Sequence, residues 1–141
     1  GPIYHAGALS GNPVAMTAGI KTLEILSRKG FYSNLENKTK KLMLGLSKSA
    51  EKNHIDFQVT YAGGMFGFFF TGKKNISNFK DVCDCNKILF EKFFKIMLSK
   101  GIYFAPSSFE AGFISSKHSA QDINYTIKSA DEAFKEISKE K

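Results

Sequence analysis

The chain has 141 residues, 43% of them hydrophobic, with 14 Phe and a formal charge of +7; that length suits one domain with part of another, and the apolar share suffices for a core. The charge alone does not make a nucleic-acid binder: Arg28 is the only arginine, whereas readers of phosphates and base edges favour the two-pronged guanidinium. No run of 18 apolar residues occurs and no basic stretch precedes an apolar one at the start, so neither a helical membrane span nor a secretion signal is expected.

Residues 1–12 include Gly1, Gly7 and Gly11 and lack periodicity, so they read as a loop. Asn12-Pro13 then resembles a helix start, with Asn accepting from orphan N–H groups and Pro at the first helical position. That helix should run through Val14, Ala18, Leu23 and Leu26 and end near Arg28-Lys29-Gly30, a basic last turn followed by glycine. A second helix is expected over residues 32–52, where Leu35, Leu42, Leu46 and Ala50 return to one face. Residues 57–61 alternate apolar and polar as a half-buried strand does. Residues 65–71 read as a central strand, and Gly63-Gly64 between the two is a hairpin signal.

Residues 86–100 form the next expected helix, with Leu89, Phe90, Phe93, Phe94 and Met97 inward. Short strands are expected at 102–104 and 111–114. Ser119 with Asp122 three residues on makes a capping-box start for a last helix striped by Ile123, Ile127, Ala130, Phe134 and Ile137. This order predicts an α+β fold of two layers, a mostly antiparallel sheet with helices on one face.

Read residue by residue, the chemistry is sparse. Cys83 and Cys85 are too close to bridge each other and lack the second pair a zinc site needs. They read as free thiols, with no metal, in a reducing cytoplasm. His54 reads as a solvated residue and His118 as a loop residue before a helix cap. His5 lies in the opening loop, whose small residues and downstream helix start allow a close approach by an anion. The lysines, among them Lys38, Lys40, Lys41, Lys48 and Lys52, are mixed with acids and serines and read as a solvated face.

The stretch Gly1–Met16, GPIYHAGALSGNPVAM, resembles the segment after the cofactor lysine in class-III aminotransferase-like enzymes of PLP fold type I. Gly63-Gly64-Met65-Phe66-Gly67, Phe104-Ala105-Pro106-Ser107 and Phe109-Glu110-Ala111-Gly112-Phe113 follow in order, then His118-Ser119 and Asp122-Ile123. The phenylalanine-flanked Glu110 block is the specific one, and with it the chain is most similar to glutamate-1-semialdehyde 2,1-aminomutases.

That resemblance implies the C-terminal part of a cytoplasmic, homodimeric pyridoxal-phosphate isomerase, with no nucleic acid and no membrane as partner. The enzyme would convert (S)-4-amino-5-oxopentanoate to 5-aminolevulinate on the way to tetrapyrroles. It implies residues 1–12 as a tail of the large domain, 13–30 as a connecting helix and 31–141 as the small C-terminal domain. The cofactor, entering as pyridoxamine phosphate, would be held by a lysine upstream of Gly1; no lysine here stands in a matching context, so no catalytic residue is assigned. The chain opens without an initiator Met, and the natural start is expected further upstream. Gly7, Ala8 and Leu9 match the turn that meets the cofactor phosphate of the neighbouring subunit, where Ala8 replaces the usual Thr and removes its hydroxyl. Glu110 matches an acid facing the substrate amine; in an apolar setting such a carboxylate needs a hydrogen-bonded or cationic partner, or is protonated. Tyr4 matches a position at the site or the dimer interface, with plain packing as the alternative. Two other functions remain open: an external class-III (ω) aminotransferase, and a stand-alone lysine-rich binding module.

Overall fold

Asn12 and Pro13 do start a helix. In the structure, a computed structural model that describes residues 2, 3 and 7–139, the Asn12 side chain accepts from the N–H groups of Val14 and Ala15 at 3.0 and 3.3 Å. The chain divides into two units, residues 1–32 and 33–141. The first holds this helix, α1 (Pro13–Leu26), none of whose residues is buried. It ends earlier than the sequence suggests. Ser27 caps it, Arg28 N–H returns to the Ile25 carbonyl and Phe31 N–H to the Arg28 carbonyl. Arg28 and Lys29 therefore stand beyond the last turn, in a reversal completed by Gly30 at φ +83°.

Helix α2 (Phe31–Lys52) starts there and runs into the second unit. Strands β1 (Gln58–Ala62) and β2 (Met65–Phe69) pair antiparallel from Gln58↔Phe69 to Ala62↔Met65. Gly63, at φ +56°, makes the turn between them. A short helix α3 (Phe79–Cys83) and a longer α4 (Lys87–Ser99) precede β3 (Gly112–Phe113), which pairs antiparallel with β2; α5 (Ala120–Ser138) closes the chain. The sheet order is β1-β2-β3, and the α+β class is as expected.

The strand count is smaller than expected. Residues 102–104 form no strand, because the helix end claims them: Gly101 turns at φ +78° and Ile102 N–H bonds back to the Met97 carbonyl at 3.0 Å. Phe104 then inserts into the core against Phe66, Phe68 and Phe93. The strand expected at 111–114 keeps two ladder residues, while Ile114 N–H donates to the Gly64 carbonyl at 2.8 Å.

β2 explains the layering. Phe66 and Phe68 point, with Phe70 just beyond the strand, into a core shared with Leu46 of α2, Phe93 of α4 and Phe134 of α5. Phe93, fully buried, stacks on Phe134 with ring centroids 4.9 Å apart, an arrangement that adds to the area each ring buries. Gly45 lets α2 and α5 approach closely, since a β-carbon there would collide with Ile127. Met65, Gly67 and Phe69 alternate to the opposite face, where α3 stands instead of the larger helices. No described helix is long and apolar enough to cross a membrane.

Candidate functional site

The second unit presents an apolar cavity of about 260 Å³ on that opposite face. Thr60 and Tyr61 of β1, Met65 and Phe69 of β2, and Phe79 and Val82 of α3 contribute to its walls. Phe109 and Glu110 complete its rim, and Glu110 is the only charged residue among the described lining residues. The segment that carries them is anchored by buried Phe104 and then folds on itself. Ser107 Oγ accepts from Phe109 N–H at 3.2 Å, and Glu110 N–H donates to the Ser107 carbonyl at 3.2 Å. A short polar side chain closing such a turn fixes where the next two residues point. The Phe109 ring lies 5.6 Å from that of Phe79, and Lys87 Nζ is 5.1 Å from the Phe109 centroid.

Glu110 is exposed, and so are Phe109 and Phe113 on either side of it. Among the described residues, its apolar neighbours in sequence therefore do not enclose it. The carboxylate keeps its water and requires no buried partner, because flanking residues that are themselves exposed desolvate nothing.

In the first unit, Gly7, Ala8 and Leu9 form a turn in which Ser10 N–H donates to the Gly7 carbonyl at 3.0 Å and Asn12 N–H to the Leu9 carbonyl at 3.1 Å. The Ser10 hydroxyl lies 2.5 Å from where a β-carbon on Gly7 would sit, so a side chain there would push it aside. Gly11 follows at φ +74°. Ala8 and Leu9 are exposed. An anion can approach the backbone of such a turn closely. The start of α1 is less open to it, because Asn12 already occupies the N–H groups of Val14 and Ala15. The residues thus fit one side of a phosphate contact, made by backbone and without a hydroxyl at position 8. Tyr4 lies outside the described residues.

Residues 1–129 match the family described as aminotransferase class-III. The chain belongs to that family. Among solved structures, this class-III aminotransferase chain is similar to an ω-transaminase from Sphaerobacter thermophilus, with a TM-score of 0.77 and 16% identity over 97% of this chain and 31% of that one. It is also similar to the PLP internal aldimine form of the FumI protein of Sphingopyxis sp. MTA144, with a TM-score of 0.79 and 22% identity over 99% of this chain and 30% of that one. A third structure, a transaminase with PLP bound, matches with a TM-score of 0.75 and 17% identity over 98% of this chain and 30% of that one. The chain thus spans about three-tenths of the length of these structures, and at such identities the likeness concerns the fold.

Elsewhere the class-III chain uses its polar groups for shape. Lys73 bridges Asp81 and Asp84 at 3.1 and 2.9 Å, and hydrogen bonds to Asp84 and then Asp81 raise its pKa. The Ser77 N–H, followed by Lys73, holds the Asp81 carboxyl below its ordinary range. Burial pushes the Cys85 thiol up, and its Sγ donates to the Asp81 carbonyl at 3.2 Å. Both cysteines are free, and no His/Cys/Asp/Glu group among the described residues is arranged to hold a metal. His118 is a loop residue whose Nδ1 accepts from Ser115 N–H at 3.0 Å, and His54 is exposed. Sequence reasoning passed over Phe79 and Lys87. A five-residue helix shows no periodicity, but Asn78 followed by Asp81 was a start signal within reach: Asn78 Oδ1 accepts from Asp81 N–H.

Proposed function

We propose that this chain is the C-terminal part of a pyridoxal-phosphate-dependent glutamate-1-semialdehyde 2,1-aminomutase, which converts (S)-4-amino-5-oxopentanoate to 5-aminolevulinate for tetrapyrrole synthesis. The observation that carries this reading is Glu110, set by a hydrogen-bonded turn at the rim of an apolar cavity. It lies within the phenylalanine-flanked block that marks the resemblance. Family membership and the fold support pyridoxal phosphate as cofactor. When bound, the cofactor supplies an electron sink at the reacting carbon.

This chain's residues have two tasks in that reaction. The exposed Glu110 carboxylate accepts a hydrogen bond from the substrate ammonium and so distinguishes the two ends of a short diamine-like skeleton. The Gly7–Leu9 turn, with its small residues, offers backbone N–H groups to the phosphate held in the neighbouring subunit of a cytoplasmic homodimer. Residues 1–12 then close the large domain, 13–30 connect, and 31–141 form the small domain. The lysine that holds the cofactor belongs to the part of the enzyme before Gly1, and this segment alone has no turnover.

The test is to supply the full-length enzyme with glutamate-1-semialdehyde and no amino donor. Formation of 5-aminolevulinate is the expected outcome. Strict dependence on a second amino substrate would establish the external ω-aminotransferase instead, a reading that membership of the class-III family supports equally.

A further inference from the structure

We propose that Phe79 and Lys87 are positioning residues that hold Glu110 in place by gripping its neighbour Phe109. The inference rests on the reading of Glu110 as the substrate-facing carboxylate. Among the described residues, Glu110 is held through its backbone, whose N–H donates to the Ser107 carbonyl. Its side chain is exposed, so its direction depends on the residues that fix the turn.

Phe109 is half-exposed and Phe79 is 72% exposed, yet their rings meet at 5.6 Å. An aromatic side chain so exposed contributes little to a core, and this pair lies outside the core cluster. Lys87 places its ammonium 5.1 Å from the centroid of the same ring, within the range at which a cation is drawn to an aromatic face. The Phe109 ring is thus held by two groups from two different helices.

Both groups stand on rigid footings. Asn86, which caps α4, donates its N–H to the Phe70 carbonyl at 2.9 Å and accepts from Leu89 N–H at 3.0 Å. Lys87 therefore follows directly on a residue tied to buried Phe70, just beyond the central strand. Phe79 opens α3, whose start is fixed by Asn78 and whose Asp81 is bound by Ser77 and Lys73. The α4 footing reaches the core through Asn86 and Phe70, the α3 footing is held by the Lys73 ion pairs with Asp81 and Asp84, and both meet at Phe109, one peptide bond from Glu110. A carboxylate that must discriminate two ends of a small substrate gains from such support, since small misplacements at a reacting centre cost rate out of proportion.

The experiment is a double-mutant cycle in the full-length enzyme with its cofactor. Phe79→Ala and Lys87→Met should each lower kcat about threefold to tenfold, the range that the loss of one aromatic or cation–π contact allows. Cofactor content and Tm should stay unchanged, and Phe79→Tyr and Lys87→Arg should restore kcat. Combined with Glu110→Gln, the same two substitutions should cost less than about twofold, because the group they position has lost its charge. Equal losses with and without Glu110→Gln, or no loss in the wild-type background, would overturn the proposal while leaving Glu110 as assigned. Should Glu110→Gln alone turn over like wild type, the substrate-facing reading fails and the proposal with it.

Discussion

Ala8 is a methyl group on an exposed turn whose neighbours keep the backbone accessible. If that turn meets a phosphate, a hydroxyl at position 8 adds a charge-assisted hydrogen bond of about 1.5–3 kcal/mol. Ala8→Thr should then tighten cofactor binding by about tenfold or more in the full-length dimer, read by spectroscopic titration; an unchanged affinity would count against the phosphate role. A motif in the sequence singles out Glu110 between Phe109 and Ala111, and the structure sets that residue at the cavity rim. Phe79 was not readable, because its partner Phe109 lies thirty positions on and only the folded chain brings them to 5.6 Å. Apolar neighbours in sequence do not imply enclosure in space: Phe109 and Phe113 flank Glu110 and are themselves exposed.

Among the elements, α5 shows most directly how a cap supports a helix. Ser119 Oγ accepts from Asp122 N–H at 3.1 Å, while the Asp122 carboxylate accepts from Ser119 N–H at 2.6 Å. The Ser119 N–H first, and then its hydroxyl, hold the Asp122 carboxyl below its ordinary range. Lys52 and Lys100 do the same, in the main, for Asp131 and Glu132. Carboxyls depressed in the folded state add stability that is fully present above their unfolded pKa of about 4 and is lost as pH falls through that value toward the folded one. The melting temperature should accordingly decline on acidification below about pH 4, and less steeply in Asp122→Asn. Ser119→Ala should lower it by a few degrees at neutral pH, and an unchanged melting curve would mean the cap is dispensable. This cap was visible in the sequence because its spacing is local. The missing strand at 102–104 was not, since the helix end and Phe104 claimed those residues through contacts made elsewhere in the fold.

For the whole molecule, stability concentrates where three helices and the sheet meet at Phe93. It touches Phe57, Phe68, Phe70, Phe104 and Phe134 and is fully buried. Phe93→Ala should cost about 3–5 kcal/mol, a large part of what a domain this size has, as measured by denaturant unfolding. A loss under about 1 kcal/mol would show that the ring cluster closes over the gap. Fold class was readable because binary patterning reports the core, and eight of the 14 Phe lie buried in it.

The alternation along β2 also sorts the consequences of mutation. A change at Phe66 or Phe68 reaches the packed interior, and its carriers would suffer from poor folding and low abundance. One position along, at Met65 or Gly67, the same change reaches the cavity wall and, on the proposed reading of that cavity, would leave a protein made in normal amounts that handles its substrate differently. Two adjacent codons of this strand thus report on separate questions, how much protein a cell keeps and what that protein does.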